Sequence, residues 1–132
     1  MAEATKYDKG KAPMSMLPYH GMEEIAQVLA FGANKYGRDN WRQGMAWSRM
    51  VDAAMRHLSS MADGELLDPE SGLPHAAHAG CCIMFLLDYL HTHPECNDIL
   101  FRASMGKVTD GLSSVNNAPG VYAPGSMVRL QG

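Results

Sequence analysis

The chain has 132 residues, 46% hydrophobic and 19% charged, with 11 Lys and Arg against 14 Asp and Glu for a formal net charge of −3. A chain this long fits one domain that can bury about two-thirds of its unfolded surface without disulfides, and its near-neutral charge leaves no footprint for wrapping duplex nucleic acid. No apolar run reaches the roughly 18 to 20 residues of a membrane span and the N-terminus lacks an apolar signal core, so the expectation is a soluble, cytoplasmic protein with no membrane partner.

The first twenty residues carry the punctuated run Asp8-Lys9-Gly10-Lys11 and two prolines, which predicts an arm or loop. From Met22 the apolar residues Met22, Ile25, Ala26, Leu29, Ala33 and Tyr36 recur at helical spacing, predicting a helix over 22–36 that Gly37 stops. A polar aromatic connection follows, Lys35-Tyr36 to Asn40-Trp41. Ser48 then reads as the N-cap of a second helix, with Val51, Ala54, Met55, Leu58, Met61 and Ala62 on one stripe and Arg49, Asp52, Arg56, Ser59 and Asp63 opposite. This helix is expected to end near Gly64 or to continue to Asp68, ahead of Pro69. A third helix opens at Ser71-Gly72-Leu73-Pro74 and runs to about His91, apolar on nearly every side from Ala76 to Leu90. Helices two and three should form an antiparallel hairpin, and something must cover the third. A short helix at Asp98–Ser104 and a strand at Met127–Leu130 are further expectations, within an extended tail over 106–132. The coarse result is an all-α domain over residues 1–105 with an irregular C-terminal tail.

Two compositional details sharpen this picture. Cys81, Cys82 and Cys96 cannot all pair and two are adjacent, so they read as reduced thiols. Eleven methionines against three phenylalanines make an adaptable filler. With a third helix apolar on all sides, that distribution favours a dimer or larger homo-oligomer.

Polar residues gather around the hairpin loop. If helix two persists, Glu65 and Asp68 share a face, and His75 and His78 lie three apart on the opening turn of helix three. Carboxylates brought together at one end of a hairpin need a cation, and hard oxygen ligands favour Mg²⁺ or Mn²⁺. The competing reading makes Glu65, Asp68 and Glu70 solvated loop acids and the histidines ordinary polar partners. A zinc site using Cys82 is disfavoured, because no Cys-x-x-Cys pair occurs. Arg56 pairs with Asp52 along the helix or points bidentate donors at a phosphate. Lys9 and Lys11 flank a flexible glycine suited to phosphate contact. Tyr36, Asn40 and Trp41 combine stacking faces with an amide, for a nucleobase and sugar, or Trp41 plugs the end of the bundle. No phosphate-binding G-x-x-x-x-G-K-[ST] loop, G-x-G-x-x-G, H-E-x-x-H, His-Asp dipeptide or G-x-S-x-G is present. Any hydrolysis would therefore be metal-assisted attack by water.

The ordered succession Asp8-Lys9-Gly10-Lys11, Leu17-Pro18, Gly32-x-x-Lys35-Tyr36-Gly37, Asn40-Trp41, Arg56-His57-Leu58 and Gly64-Glu65-x-x-Asp68-Pro69-Glu70-Ser71-Gly72-Leu73-Pro74-His75-x-x-His78 resembles the phage dATP/dGTP diphosphohydrolase family. That family is related to the MazG-like all-α nucleotide pyrophosphohydrolases, and the likeness is greatest to its MazZ-like members, which accompany replacement of adenine by 2-aminoadenine in phage DNA. The resemblance covers about positions 7 to 91. It implies a helical bundle completed by oligomerisation and cleavage of a purine nucleoside triphosphate to monophosphate and pyrophosphate. The expected substrate is dGTP, with GTP and dATP as further ones. MazG relatives hold metal with E-x-x-E and E-x-x-D on successive helices. By correspondence, two or more Mg²⁺ or Mn²⁺ ions would sit on Glu65, Asp68, His75 and His78, with histidines where the second acidic pair would be. Lys9, Lys11, Lys35 and Arg56 would meet the phosphate charge, and Tyr36, Asn40 and Trp41 the base and sugar. The opposing class is a non-catalytic helical module whose third helix packs on a partner.

Overall fold

The structure is a computed structural model describing residues 2–99. The chain divides into two compact units, one containing residues 2–16 and the other beginning at Leu17. In the first, the amide of Lys11 bonds the Asp8 carbonyl at 3.0 Å across Gly10, which takes φ +83°. A 3-10 turn follows at Met14–Met16.

The second unit holds three helices, α1 (Tyr19–Tyr36), α2 (Trp47–Ala62) and α3 (His75–Thr92), with 3-10 turns at Asn40–Gln43 and Pro94–Cys96. Among the described residues there is no strand, only an isolated antiparallel bridge between Leu67 and Pro74. The all-α reading therefore holds. None of these helices is long and apolar enough to cross a membrane.

The helix boundaries differ from the sequence reading in physically instructive ways. α1 starts three residues before Met22, because extended Pro18 serves as its N-cap and accepts the Met22 amide at 3.1 Å. α2 starts at Trp47 with Ala46 at the cap position, so Ser48 lies inside the first turn and caps nothing. The carboxylate of Asp98 does that work from fifty residues away, accepting the Ser48 amide at 2.9 Å and its hydroxyl at 2.5 Å. An anion there also complements the positive helix end.

α2 does not reach Asp68. Gly64 adopts φ +99°, its amide bonds Met61, and the Glu65 amide reaches back to the Ser60 carbonyl at 3.0 Å. This is a Schellman-type stop, which uses a glycine to satisfy the last carbonyls. Glu65 and Asp68 therefore do not share a helical face. At the other end of the loop, Pro74 sits just outside α3 in extended geometry and Ser71–Leu73 belong to the loop.

α3 is central and packs against both α1 and α2. Val28, Ala77 and Cys81 form the buried centre, with Ile25, Leu29, Leu73 and Phe85 against it. Small residues let α1 come close: a Cβ on Gly80 would lie 2.9 Å from Ile25 Cδ1. Among the described residues nothing covers the rest of α3. Ile83, Met84, Leu87 and Leu90 are exposed, and so are Met55, Leu58 and Met61 on α2. Asp98 and Ile99 are not helical, while the remainder of the expected 98–104 helix, the 127–130 strand and the tail boundary at 106 fall outside the described residues.

Candidate active site

The loop between α2 and α3 is built by turn chemistry. The Asp68 amide bonds the Leu73 carbonyl at 2.8 Å, Gly72 returns to the Asp68 carbonyl at 2.7 Å, and His75 bonds Leu66 at 3.0 Å. Asp68 Oδ1 accepts the amides of Glu70 at 2.7 Å and Ser71 at 3.0 Å. This is the Asx-turn use of an aspartate ahead of Pro69. It fixes the carboxylate in a half-buried position and leaves Oδ2 facing His57 Nδ1 at 3.8 Å.

Four ionisable side chains converge there. His57 projects from α2 and His75 from the first turn of α3, with their Nδ1 atoms 2.9 Å apart. His75 is 3% exposed, and its Nε2 lies 2.7 Å from Glu65 Oε1. A carboxylate only accepts, so His75 Nε2 is the donor to Glu65, and Nδ1 is the atom of the same ring that faces His57. His78 stacks on His57 with ring centroids 4.5 Å apart and planes 10° from parallel, while its Nε2 meets Ser71 Oγ at 2.7 Å. Ser71 Oγ also accepts the Leu73 amide at 3.1 Å, so this hydroxyl ties His78 to the loop backbone.

Burial and local fields keep these groups ready to bind a cation. Desolvation and the neighbouring His78 push His57 below the ordinary imidazole range, and desolvation does the same to His78. For Asp68, burial alone would raise the carboxyl, but the Ser71 and Glu70 amides and the two imidazoles outweigh it and hold it below its usual range. The directions for His57 and His78 favour neutral imidazoles beside an ionised Asp68 carboxylate. His57, Asp68 and His75 each offer one ligand atom, all within 4.8 Å of one another. Such a donor set fits a divalent metal ion.

An open cleft of about 1320 Å³ lies beside this cluster. His57, Asp68, His78, Arg56 and Glu70 line one part, and Lys35, Tyr36, Asn40 and Trp41 another. Most residues singled out from the sequence thus meet around one space. Within it, Lys35 Nζ bonds Glu70 Oε1 at 2.6 Å, and this contact raises the lysine above its ordinary range. Trp41 stacks on Phe85 at 4.4 Å with Arg42 over its ring at 4.5 Å, and its carbonyl accepts the buried Tyr89 hydroxyl. Tyr36 is 62% exposed, with Lys35 Nζ over its ring 5.2 Å from the centroid. Glu65 and His75 are not among the residues that line the cleft. Lys9 and Lys11 belong to the other compact unit.

His57 was assigned no chemistry from sequence, although its signal was present. It shares the inward stripe of α2 with Ala53, Ala54 and Ser60, where a polar ring needs a partner. Cys82 does not join the cluster, and burial pushes its thiol above the ordinary range and that of Cys81 up to about 12. A second grouping, His93, Glu95 and Cys96, already uses both nitrogens of His93: Nδ1 on Glu95 at 2.8 Å and Nε2 on the Arg42 carbonyl at 2.7 Å.

No solved structure matches the chain. A curated dATP/dGTP diphosphohydrolase of Salmonella phage PMBT28 is 40% identical over 114 residues, which are 86% of this chain and 39% of that protein. The chain thus spans about two-fifths of the length of that relative. The family model for the dATP/dGTP diphosphohydrolase N-terminal region matches residues 1–99, and the chain belongs to this phage dATP/dGTP diphosphohydrolase family.

Proposed function

We propose that this chain is a metal-dependent nucleoside triphosphate pyrophosphohydrolase that converts dGTP, and with it GTP or dATP, to the monophosphate and pyrophosphate. One observation carries the reading: an imidazole and carboxylate cluster able to hold a cation borders a cleft whose other lining includes Lys35, Arg56 and exposed aromatic and amide groups. The relative's name supports the same substrate class. The MazZ-like resemblance supports dGTP as the preferred substrate, and dGMP as a supply for 2-aminoadenine nucleotide synthesis in a phage-infected cell's cytoplasm.

The residues divide the work by chemistry. His57, Asp68 and His75 hold the divalent ion, Mg²⁺ or Mn²⁺ in the family expectation, with Glu65 and His78 orienting the rings. When bound, the ion lowers the pKa of a coordinated water and neutralises phosphate charge. Arg56 and Lys35 bind phosphate oxygens as charge builds on the departing pyrophosphate, Lys35 exchanging its Glu70 contact for substrate. Tyr36 and Asn40 contact the base and sugar, and Trp41 forms the wall behind them. Residues 1–105 form the catalytic domain.

A homo-oligomer completes the molecule. Several apolar residues of α2 and α3 are exposed among the described residues, and a second copy packed on them would extend the core of the bundle. Incubating the protein with dGTP, dATP and GTP and a divalent metal, then resolving products by ion-exchange chromatography, tests the activity. Equimolar monophosphate and pyrophosphate is the expected result. Release of inorganic phosphate, or no turnover of any of the three, would remove the reading in favour of a non-catalytic helical module.

A further inference from the structure

We infer that the principal ion of this site is a first-row transition dication of the Mn²⁺, Fe²⁺, Co²⁺ or Zn²⁺ class bound through His57 Nδ1, His75 Nδ1 and Asp68 Oδ2, and that Glu65 is an orienting carboxylate and not a ligand. The inference rests on the hydrolase reading only for what the ion is used for. Its ligand set stands on the geometry.

The two Nδ1 atoms are 2.9 Å apart. Ligands bound at about 2.1 Å and at right angles around one ion lie about 3 Å from each other, so these nitrogens already have the separation of neighbouring positions in one coordination shell. Asp68 Oδ2 lies 3.8 Å from His57 Nδ1, and the ligand atoms of all three residues lie within 4.8 Å of one another, which puts the carboxylate on the third side. Its Oδ1 remains anchored by two backbone amides.

The outer contacts choose the ligand atoms. Glu65 occupies His75 Nε2, which turns Nδ1 inward, the carboxylate–histidine arrangement that fixes tautomer and raises ligand basicity. His78 gives its Nε2 to Ser71 and its ring face to His57, so it sets the plane of His57. A Glu65-x-x-Asp68 carboxylate pair would have favoured Mg²⁺. The folded loop instead sends Glu65 to His75 and leaves one carboxylate and two imidazoles, a softer set that Mg²⁺ disfavours and transition ions accept.

Mn²⁺ titration followed by electron paramagnetic resonance, with pulsed detection of ¹⁴N coupling, reads the ligands without requiring turnover. The full chain should bind Mn²⁺ with imidazole ¹⁴N coupling that a tenfold excess of Mg²⁺ leaves intact. His57→Gln should remove one of the two nitrogen couplings, and Glu65→Gln should weaken binding about tenfold while keeping both. Circular dichroism verifies that each variant folds, with Asp68→Asn, expected to weaken binding without altering the nitrogen signal, as the second probe. Absence of ¹⁴N coupling, displacement by equimolar Mg²⁺, or loss of coupling in Glu65→Gln would overturn the assignment. Mn²⁺ held with two nitrogens by a protein inert toward dNTPs would support it while removing the hydrolase reading; dGTP hydrolysis by Mg²⁺ alone, with no nitrogen ligation, would do the reverse.

Discussion

Glu65 fixes the buried ring of His75, its Oε1 lying 2.7 Å from Nε2 while Nδ1 of the same ring meets His57. Glu65 is itself about half exposed, so its effect passes through the ring it holds. Glu65→Gln keeps a hydrogen-bond acceptor but loses the charge, and turnover of dGTP should fall about tenfold with an unchanged far-ultraviolet spectrum. Wild-type turnover in this variant would show that His75 needs no such orientation.

Asp68 does two jobs with two oxygens, and substitution separates them. Asn can still accept the Glu70 and Ser71 amides through its carbonyl oxygen, so Asp68→Asn should melt near the wild type yet lose about a hundredfold or more in kcat/KM. Asp68→Ala loses the turn bonds as well, each worth about 1 kcal/mol, and should melt at a clearly lower temperature. Equal melting temperatures for the two variants would contradict the turn role. Retained activity in both would contradict the ligand role.

The bridge made by His93 gives a pH signature remote from the reaction. Contacts with Glu95, then with the Arg42 carbonyl, raise His93 above its ordinary value of 6.5, and the same pair lowers Glu95 from 4.5. The histidine's stabilising share is fully present below pH 6.5 and lost as pH rises through its raised value. The glutamate's share is present above pH 4.5 and lost as pH falls through its lowered value. The melting-temperature difference between wild type and His93→Gln should therefore be largest between these limits and shrink on the alkaline side. A pH-independent difference would contradict the charged bridge.

Gly44 and His93 should be energetically coupled. Gly44 adopts φ +89°, and a Cβ there would stand 2.8 Å from His93 Nδ1. The backbone conformation alone should cost Gly44→Ala about 1–3 kcal/mol, with the ring clash added. In Gly44→Ala/His93→Ala the clash is gone, so urea unfolding should show a double-variant loss smaller than the sum of the singles. Strict additivity would contradict direct contact.

Helix periodicity made α1 and α2 legible, and α3 was legible from its long apolar run behind Pro74, apolar on nearly every side. The glycine that stops α1 at Gly37 was equally plain. Gly64 was the harder case: sequence allowed a stop or a further turn, and only the backbone bonds to Ser60 and Met61 decide it. That choice determines whether Glu65 and Asp68 share a face, so the metal-binding role expected of their pairing was less legible than the residues themselves. The cap on α2 was illegible for another reason: Asp98 supplies it from a distant part of the chain, which no local pattern encodes. His57 stood in view within Arg56-His57-Leu58, but its role depends on the crossing of α2 and α3 that brings it to His75.

Turnover of dGTP in H₂¹⁸O, with products analysed by mass spectrometry for wild type and Asp68→Asn, tests the account most directly. Water attack at the α-phosphorus predicts ¹⁸O in dGMP, none in pyrophosphate, and the same products formed far more slowly by the folded variant. Label in the pyrophosphate product, or undiminished turnover in Asp68→Asn, would contradict it.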